Sequence, residues 1–226
     1  MPATYYGPAT DPDRRMLDLL SAPPDTVSID VETISLEERI PIGFAIAFSP
    51  EEAVYFQTFP DEPRNLELLA PVLNNPGITK VCHNILFDLS VLPGIPKLEG
   101  MDRSNIWDTA IAARLLGKEF ANLEFLAQYE GTGIPVQGAR EMLAGKKSML
   151  ELPTEIVANK CQKDARACLD LHFQYKGPIT RDHGSNYKVD MEVVPLLIDM
   201  SQGGLLLDQG ARESLSRSYT SNMEFY

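Results

Sequence analysis

The amino-acid sequence predicts an α/β fold, a mixed five-stranded sheet flanked by helices. Two observations carry this expectation. Three short apolar runs of strand character, separated by turn residues, occupy the stretch from 25 to 59; from residue 65 onward, further strand-like runs alternate with segments of helical spacing. Three strands followed by strands alternating with helices describe a sheet covered by helices.

Taken in order, "DTVSIDVE" at 25–32 reads as a strand, and "PIGFAIAFS" and "EAVYFQTF" as two more, joined around Pro50 into a meander. "NLELLAPVLN" at 65–74 places Leu66, Leu69 and Leu73 on one helical face before the breaker "NNPG". "ITKVCHN" supplies a fourth strand, "ILFDLSVLPG" a short helix stopped by Pro93 and Gly94, "SNIWD" a fifth strand, and "TAIAARLLG" a helix closed by Gly117. Residues 131–153 read as loop. "PTEIVANKCQKDARACLDLHFQYK" reads as the longest helix, with Pro153 suited to its start.

Composition bounds the function. The chain has 226 residues, 44% of them hydrophobic, enough for one main domain. Its longest apolar run, "IPIGFAIAF" at 40–48, is less than half of the roughly 20 residues a membrane span requires. The start "MPATYYGPATDPDRR" lacks the basic and apolar regions of an export signal, so a cytoplasmic location is expected. Cys82, Cys161 and Cys168 show no metal-ligand spacing and read as buried free thiols. The formal net charge is −12, from 32 acidic and 20 basic residues, the reverse of a duplex-binding protein. Two readings stay open: an acidic domain with a small ligand, or a metal site for an anionic substrate, where bound ions reverse the local field.

Asp30 and Glu32 stand two apart in the first strand, so both side chains leave by one face, opposite Val27, Ile29 and Val31. That face is either solvated or, at the end of a central strand, in need of a cation. Asn84 and Asp88 lie four apart at the start of a helix; taken alone, they read better as an N-cap and a first-turn acid than as ligands. Asp164 sits mid-helix beside Cys161, Ala165 and Cys168, at the border of a packed face.

Together these residues resemble the DEDD superfamily of 3′–5′ exonucleases, and in particular the proofreading domain of family A DNA polymerases of bacterial and phage type. "SIDVETISL" is similar to the first exonuclease motif, with Leu36 where the family has a leucine against the terminal base; "CHNILFD" resembles the second; "WDT" at 107–109 matches the Asp-Thr that opens the next helix; "KDARACLDL" resembles the third. The resemblance covers about residues 26–176 and implies a ribonuclease H-like fold and removal of 3′-terminal nucleotides from single-stranded DNA ends. It implies two divalent cations, Mg²⁺ or Mn²⁺, with Asp30, Glu32 and Asp164 on the ion that activates water, and Asp30 and Asp88 on the leaving-group ion. Thr33, Leu36 and Asn84 become candidate DNA contacts. Arg140, nearest to the family's strand-holding aromatic position, joins them with Lys146 and Lys147.

The sequence departs from the pattern at Lys160. The family has a Tyr there, four residues before the third-motif Asp, and a sister branch a His at the position of Asn159. An ammonium donates hydrogen bonds and accepts none, so it does not take a proton from water. A slowed exonuclease is expected, with Lys160 paired to Asp164 one helical turn away. Beyond residue 187, "VDMEVVPLLIDMSQGGLLLDQGARESL" resembles the passage from exonuclease to polymerase thumb. The organisation expected is an N-terminal arm at 1–25, an exonuclease domain at 26–180 and the start of a thumb-like region at 187–226, with a polymerase partner in the same or a separate chain, in a bacterial cell or phage-infected host. An RNA-trimming nuclease of the same superfamily and a catalytically silent scaffold that guides DNA remain as alternatives.

Overall fold

In the computed structural model the described residues are 5–6, 21–35, 38–59, 70–91, 105–204, 206 and 208–223. They form a six-stranded sheet with strands β1 (Tyr5–Tyr6), β2 (Thr26–Thr33), β3 (Pro41–Ala47), β4 (Ala53–Gln57), β5 (Thr79–Cys82) and β6 (Ile106–Asp108), in the spatial order β1-β4-β3-β2-β5-β6. β2 is central, antiparallel to β3 and parallel to β5, and β6 continues the parallel side. The five expected strands are all present. β1, a two-residue strand parallel to β4, adds a sixth inside the stretch expected as an arm.

The helices are α1 (Ala70–Leu73), α2 (Ile85–Ser90), α3 (Thr109–Leu115), α4 (Leu123–Tyr129), α5 (Ala139–Leu143), α6 (Thr154–Pro178), α7 (Gly184–Gly203) and α8 (Gln209–Met223). α6 starts after Pro153 as expected, and a π-helical turn at Ile179–His183 carries it into α7 without a break. α1 is the described end of the helix expected at 65–74. The stretch 131–153, expected as loop, holds α5 and a 3₁₀ turn at Met149–Glu151.

Strand alternation divides the core into two layers. Val27, Ile29 and Val31 face one way, with Phe44, Ile46 and Phe56, toward Ile85, Leu89 and the helices beyond. The other face of the sheet carries small residues, Ala45 and Ala47, against which Val157, Ala158, Cys161, Ala165 and Cys168 of α6 pack. Small residues on both partners let the long helix lie close over the sheet, and this brings α6 beside the acidic face of β2. Gly43 is needed for the same layer: a Cβ there would collide with the Tyr55 hydroxyl, because the Tyr55 ring crosses over it.

Candidate active site

The carboxylates of β2 lie at the end of its central course, where the ladder to β3 shifts register between Glu32 and Thr33. A bulge at such a place bends the strand and re-aims its side chains. Asp30 and Glu32 leave by the face that α6 covers, and Glu32 is only 6% exposed. From α6, Lys160 donates to Glu32 Oε1 at 2.5 Å and to Asp164 Oδ2 at 2.7 Å. The i,i+4 pair expected from spacing is present, and Glu32 completes a triad that joins strand to helix. Cys161 donates its thiol to the Asp30 carbonyl at 3.4 Å, and ligand atoms of Asp30, Glu32 and Cys161 all lie within 4.8 Å of one another.

Burial governs the electrostatics. It pushes Asp30 up to about 8, against the pull of the Lys160 ammonium and with Asp164 and Glu32 adding to the rise. Asp164 is pushed to about 6 by burial, with Lys160 opposing through charge and hydrogen bond. Asp88 stands well above the usual carboxylate range because of burial, then Asp30 and Asp108. Burial alone would lower Lys160, but Glu32, Asp164 and Asp30 outweigh it and hold the ammonium protonated. Asp30 Oδ2 and Asp164 Oδ1 are buried and have no hydrogen-bond partner among the described residues. Buried orphan carboxylate oxygens cost free energy unless a cation meets them. An all-oxygen donor set with the Cys161 thiol held protonated by burial suits a hard ion such as Mg²⁺ or Mn²⁺, so the residues fit divalent cations.

Asp88 reaches the site from α2, where it is 4% exposed. Asn84 takes the N-cap position of that helix in the left-handed region, φ 68°, yet its side chain caps nothing. Asp108, at the end of β6, does the capping. Its carboxylate accepts from Ile85 N at 2.8 Å at the start of α2, and from Ala110 N at 2.7 Å and Ile111 N at 3.1 Å at the start of α3. One buried carboxylate thus fixes two helix starts, and the Tyr187 hydroxyl of α7 accepts from Asp108 N at 2.7 Å. Beside it, His83 Nδ1 lies 2.8 Å from Thr109 Oγ1, and burial lowers the imidazole pKa.

Three of the four carboxylates open onto a cleft of about 610 Å³, whose lining includes Asp30, Glu32, Thr33, Asp88 and Lys160 on the sheet and helix side. The opposite wall comes from α5 and the turn after it: Arg140, Leu143, Lys146, Lys147 and Met149. This wall is pinned to the end of β2, because Ser148 Oγ and Met149 N both donate to the Ile34 carbonyl, at 3.1 Å each. Ser148 and Glu151 close a reciprocal capping box that holds the turn. The cleft therefore has an acidic floor, a basic wall and apolar flanks from Val31, Ile34 and Phe87.

The family model described as "3′–5′ exonuclease" matches residues 10–175. The chain belongs to the 3′–5′ exonuclease family of the family A DNA polymerases. The chain is 30% identical over 208 residues to DNA polymerase I of Chloroflexus aurantiacus, covering 85% of this chain and 22% of that protein. It therefore spans less than a quarter of the length of that relative. Among solved structures, the polymerase domain of Pol1 from M. smegmatis in complex with DNA primer-template and dNTP superposes with a TM-score of 0.64 at 21% identity, over 92% of this chain and 33% of that one. NrnC of Brucella melitensis with bound Mg²⁺ gives 0.61 at 18% identity, over 82% and 89%, and RNase D of Trypanosoma brucei 0.62 at 12% identity, over 87% and 72%. These likenesses share the ribonuclease H-like fold.

Of the residues singled out from sequence, Asp30, Glu32, Asp88 and Lys160 line the cleft of the exonuclease domain, as do Thr33, Arg140, Lys146 and Lys147. Asp164 is buried behind Lys160. Asn84 is exposed and outside the cleft lining, and Leu36 lies outside the described residues. Sequence reading did not single out His83, Phe87 or Met149 as cleft residues, nor Asp108 as a double cap. Only the "WDT" match pointed near the last.

Proposed function

We propose that the chain is a divalent-cation-dependent 3′–5′ exonuclease that removes 3′-terminal nucleotides from DNA as the proofreading part of a family A polymerase. The observation that carries this reading is the convergence of Asp30, Glu32 and Asp88 on one cleft whose far wall is basic, with Asp164 buried behind Lys160 and paired to it. Mg²⁺ or Mn²⁺, when bound there, would supply a hydroxide near neutral pH and compensate charge on the leaving 3′ oxygen. Asp30, Glu32 and Asp164 would hold one ion, and Asp30 with Asp88 the second. Arg140, Lys146 and Lys147 take phosphates, Phe87 and Met149 offer apolar surface to a base, and Thr33, Leu36 and Asn84 complete the hold on the strand end. Only a few nucleotides of a single strand need enter, so a net charge of −12 does not oppose the reading.

Lys160 cannot accept a proton from water, and the rate is therefore below that of a relative with tyrosine at this place; an unchanged rate in Lys160→Tyr removes this point. The same lysine supports a second reading, a silent scaffold that guides DNA. The domain organisation proposed is an arm at 1–25, the exonuclease at 26–180 and a thumb-like region from 187, acting in a bacterial or phage-infected cytoplasm. Among the described residues no helix is long and apolar enough to cross a membrane. Digestion of 5′-labelled single-stranded DNA, with a matched RNA, in Mg²⁺, Mn²⁺ or EDTA tests the reading. A DNA ladder shortening from the 3′ end, lost in EDTA and in Asp30→Ala, is expected. A ladder on RNA alone gives the RNA-trimming activity, and no ladder from folded protein gives the scaffold.

A further inference from the structure

Lys160 does more than fill the place of a tyrosine. Its ammonium lies between Glu32 and Asp164, 2.5 and 2.7 Å from their oxygens, with the three side chains no more than 10% exposed. That is the place a cation takes when two carboxylates close on it from a strand and a helix. Among the described residues, the buried carboxylate oxygens without a hydrogen-bond partner are Asp30 Oδ2 and Asp164 Oδ1. The part of the cluster still in need of a cation is thus the Asp30 side, which lines the cleft together with Asp88. We infer that Lys160 is a tethered resident cation in the inner position of the exonuclease site, so that the site takes one exchangeable divalent ion, on Asp30 and Asp88, and a second only when Lys160 is displaced.

The chemistry supports this assignment. A buried ammonium held by two carboxylates is removed only by something that meets both of them, and an incoming divalent ion must also force a like charge out of its way. Lys160 itself lines the cleft, so its side chain has a path outward. A DNA phosphate arriving there gives the displaced ammonium a new partner, which couples filling of the inner position to the substrate.

This inference rests on the metal-dependent reading, and one measurement separates the two. Mn²⁺ bound per full-length chain is counted by electron paramagnetic resonance of the free ion, without DNA, for the wild type, Lys160→Met and Asp30→Asn. One ion per chain in the wild type, two in Lys160→Met and loss of the wild-type ion in Asp30→Asn are expected. Melting supplies a readout apart from stoichiometry: Mn²⁺ raises the melting temperature of Lys160→Met more than that of the wild type, because stabilisation grows with affinity for the folded state. Two ions in the wild type overturn the inference and leave the exonuclease reading intact. No ion in either chain overturns both. The wild-type count decides the matter even if the variant does not fold.

Discussion

Asp30 sits where burial favours its protonated form, and Asp164 and Glu32 reinforce it. The consequence for stability has a definite sign. A carboxyl whose folded pKa exceeds its unfolded value binds the proton more tightly when folded, so its contribution is fully present below about 3.8 and is lost as pH rises through the folded value. For Asp164 that loss runs through about 6 and for Asp30 through about 8. In EDTA the melting temperature is therefore expected to fall between pH 6 and pH 8.5, and Asp30→Asn to flatten the upper part of the fall while abolishing nuclease activity. Each kcal/mol is worth about 2–4 °C for a chain of this size. Thermal melts of both proteins across that range check it; a wild-type melt as flat as that of the variant contradicts it. Mn²⁺ is expected to reverse the trend, since an ion held by these carboxylates would require them deprotonated.

At the scale of elements, Asp108 shows how β6 places Asp88. Four backbone N–H groups point at its carboxylate, those of Ile85, Ala110 and Ile111 together with Asn84 at 3.4 Å. Asp108→Ala leaves buried donors unmatched, at about 1–3 kcal/mol for each such group, and removes a cap worth about 1 kcal/mol. The expected result is a lower melting temperature together with a lower kcat, because α2 no longer holds Asp88 in place. An unchanged kcat in protein that melts earlier would show that α2 is positioned by packing alone. Asp108 also marks what the sequence could disclose. The strands were legible because short apolar runs bounded by turn residues are a local signal, and α6 because its apolar face runs over several turns. The seven-residue α4 carried no such signal, since its buried Leu123, Leu126 and Ala127 span little more than one turn. α5 and the 3₁₀ turn were read as loop because their shape depends on Ser148 and Met149 reaching the Ile34 carbonyl. The four carboxylates were legible through short motifs and the Lys160–Asp164 pair through helical spacing. The ion pair of Lys160 with Glu32, 128 residues away, and the cap of α2 by Asp108, 23 residues away, are made only by the fold.

Across the whole molecule, charge and apolar surface are distributed unevenly. Lys146 and Lys147 stand exposed on the cleft wall of a chain with net charge −12, so DNA affinity is expected to depend on a few cations. Replacing both with alanine should lower the slope of log K against log salt by about 0.7 for each phosphate of a single strand that is no longer neutralised; an unchanged slope removes them from the interface. The second asymmetry lies on α7. Tyr187, Met191, Val194 and Ile198 bury one face against the domain, while Val189, Val193, Leu196, Leu197 and Met200 are between 40% and 62% exposed on the other. A helix apolar on both faces belongs between two bodies. Tyr219, Leu215 and Met223 on α8 are exposed as well. The DNA polymerase I relative extends far beyond the matched region, so a polymerase domain is the partner proposed for this surface. Val193→Glu with Leu196→Glu should leave the melting temperature and the rate on single-stranded DNA unchanged, since neither residue faces the core. It should weaken binding to a polymerase domain supplied in trans. Loss of stability in the double variant would mean that the stripe packs within the exonuclease domain, and unaltered association would mean that the polymerase is held elsewhere.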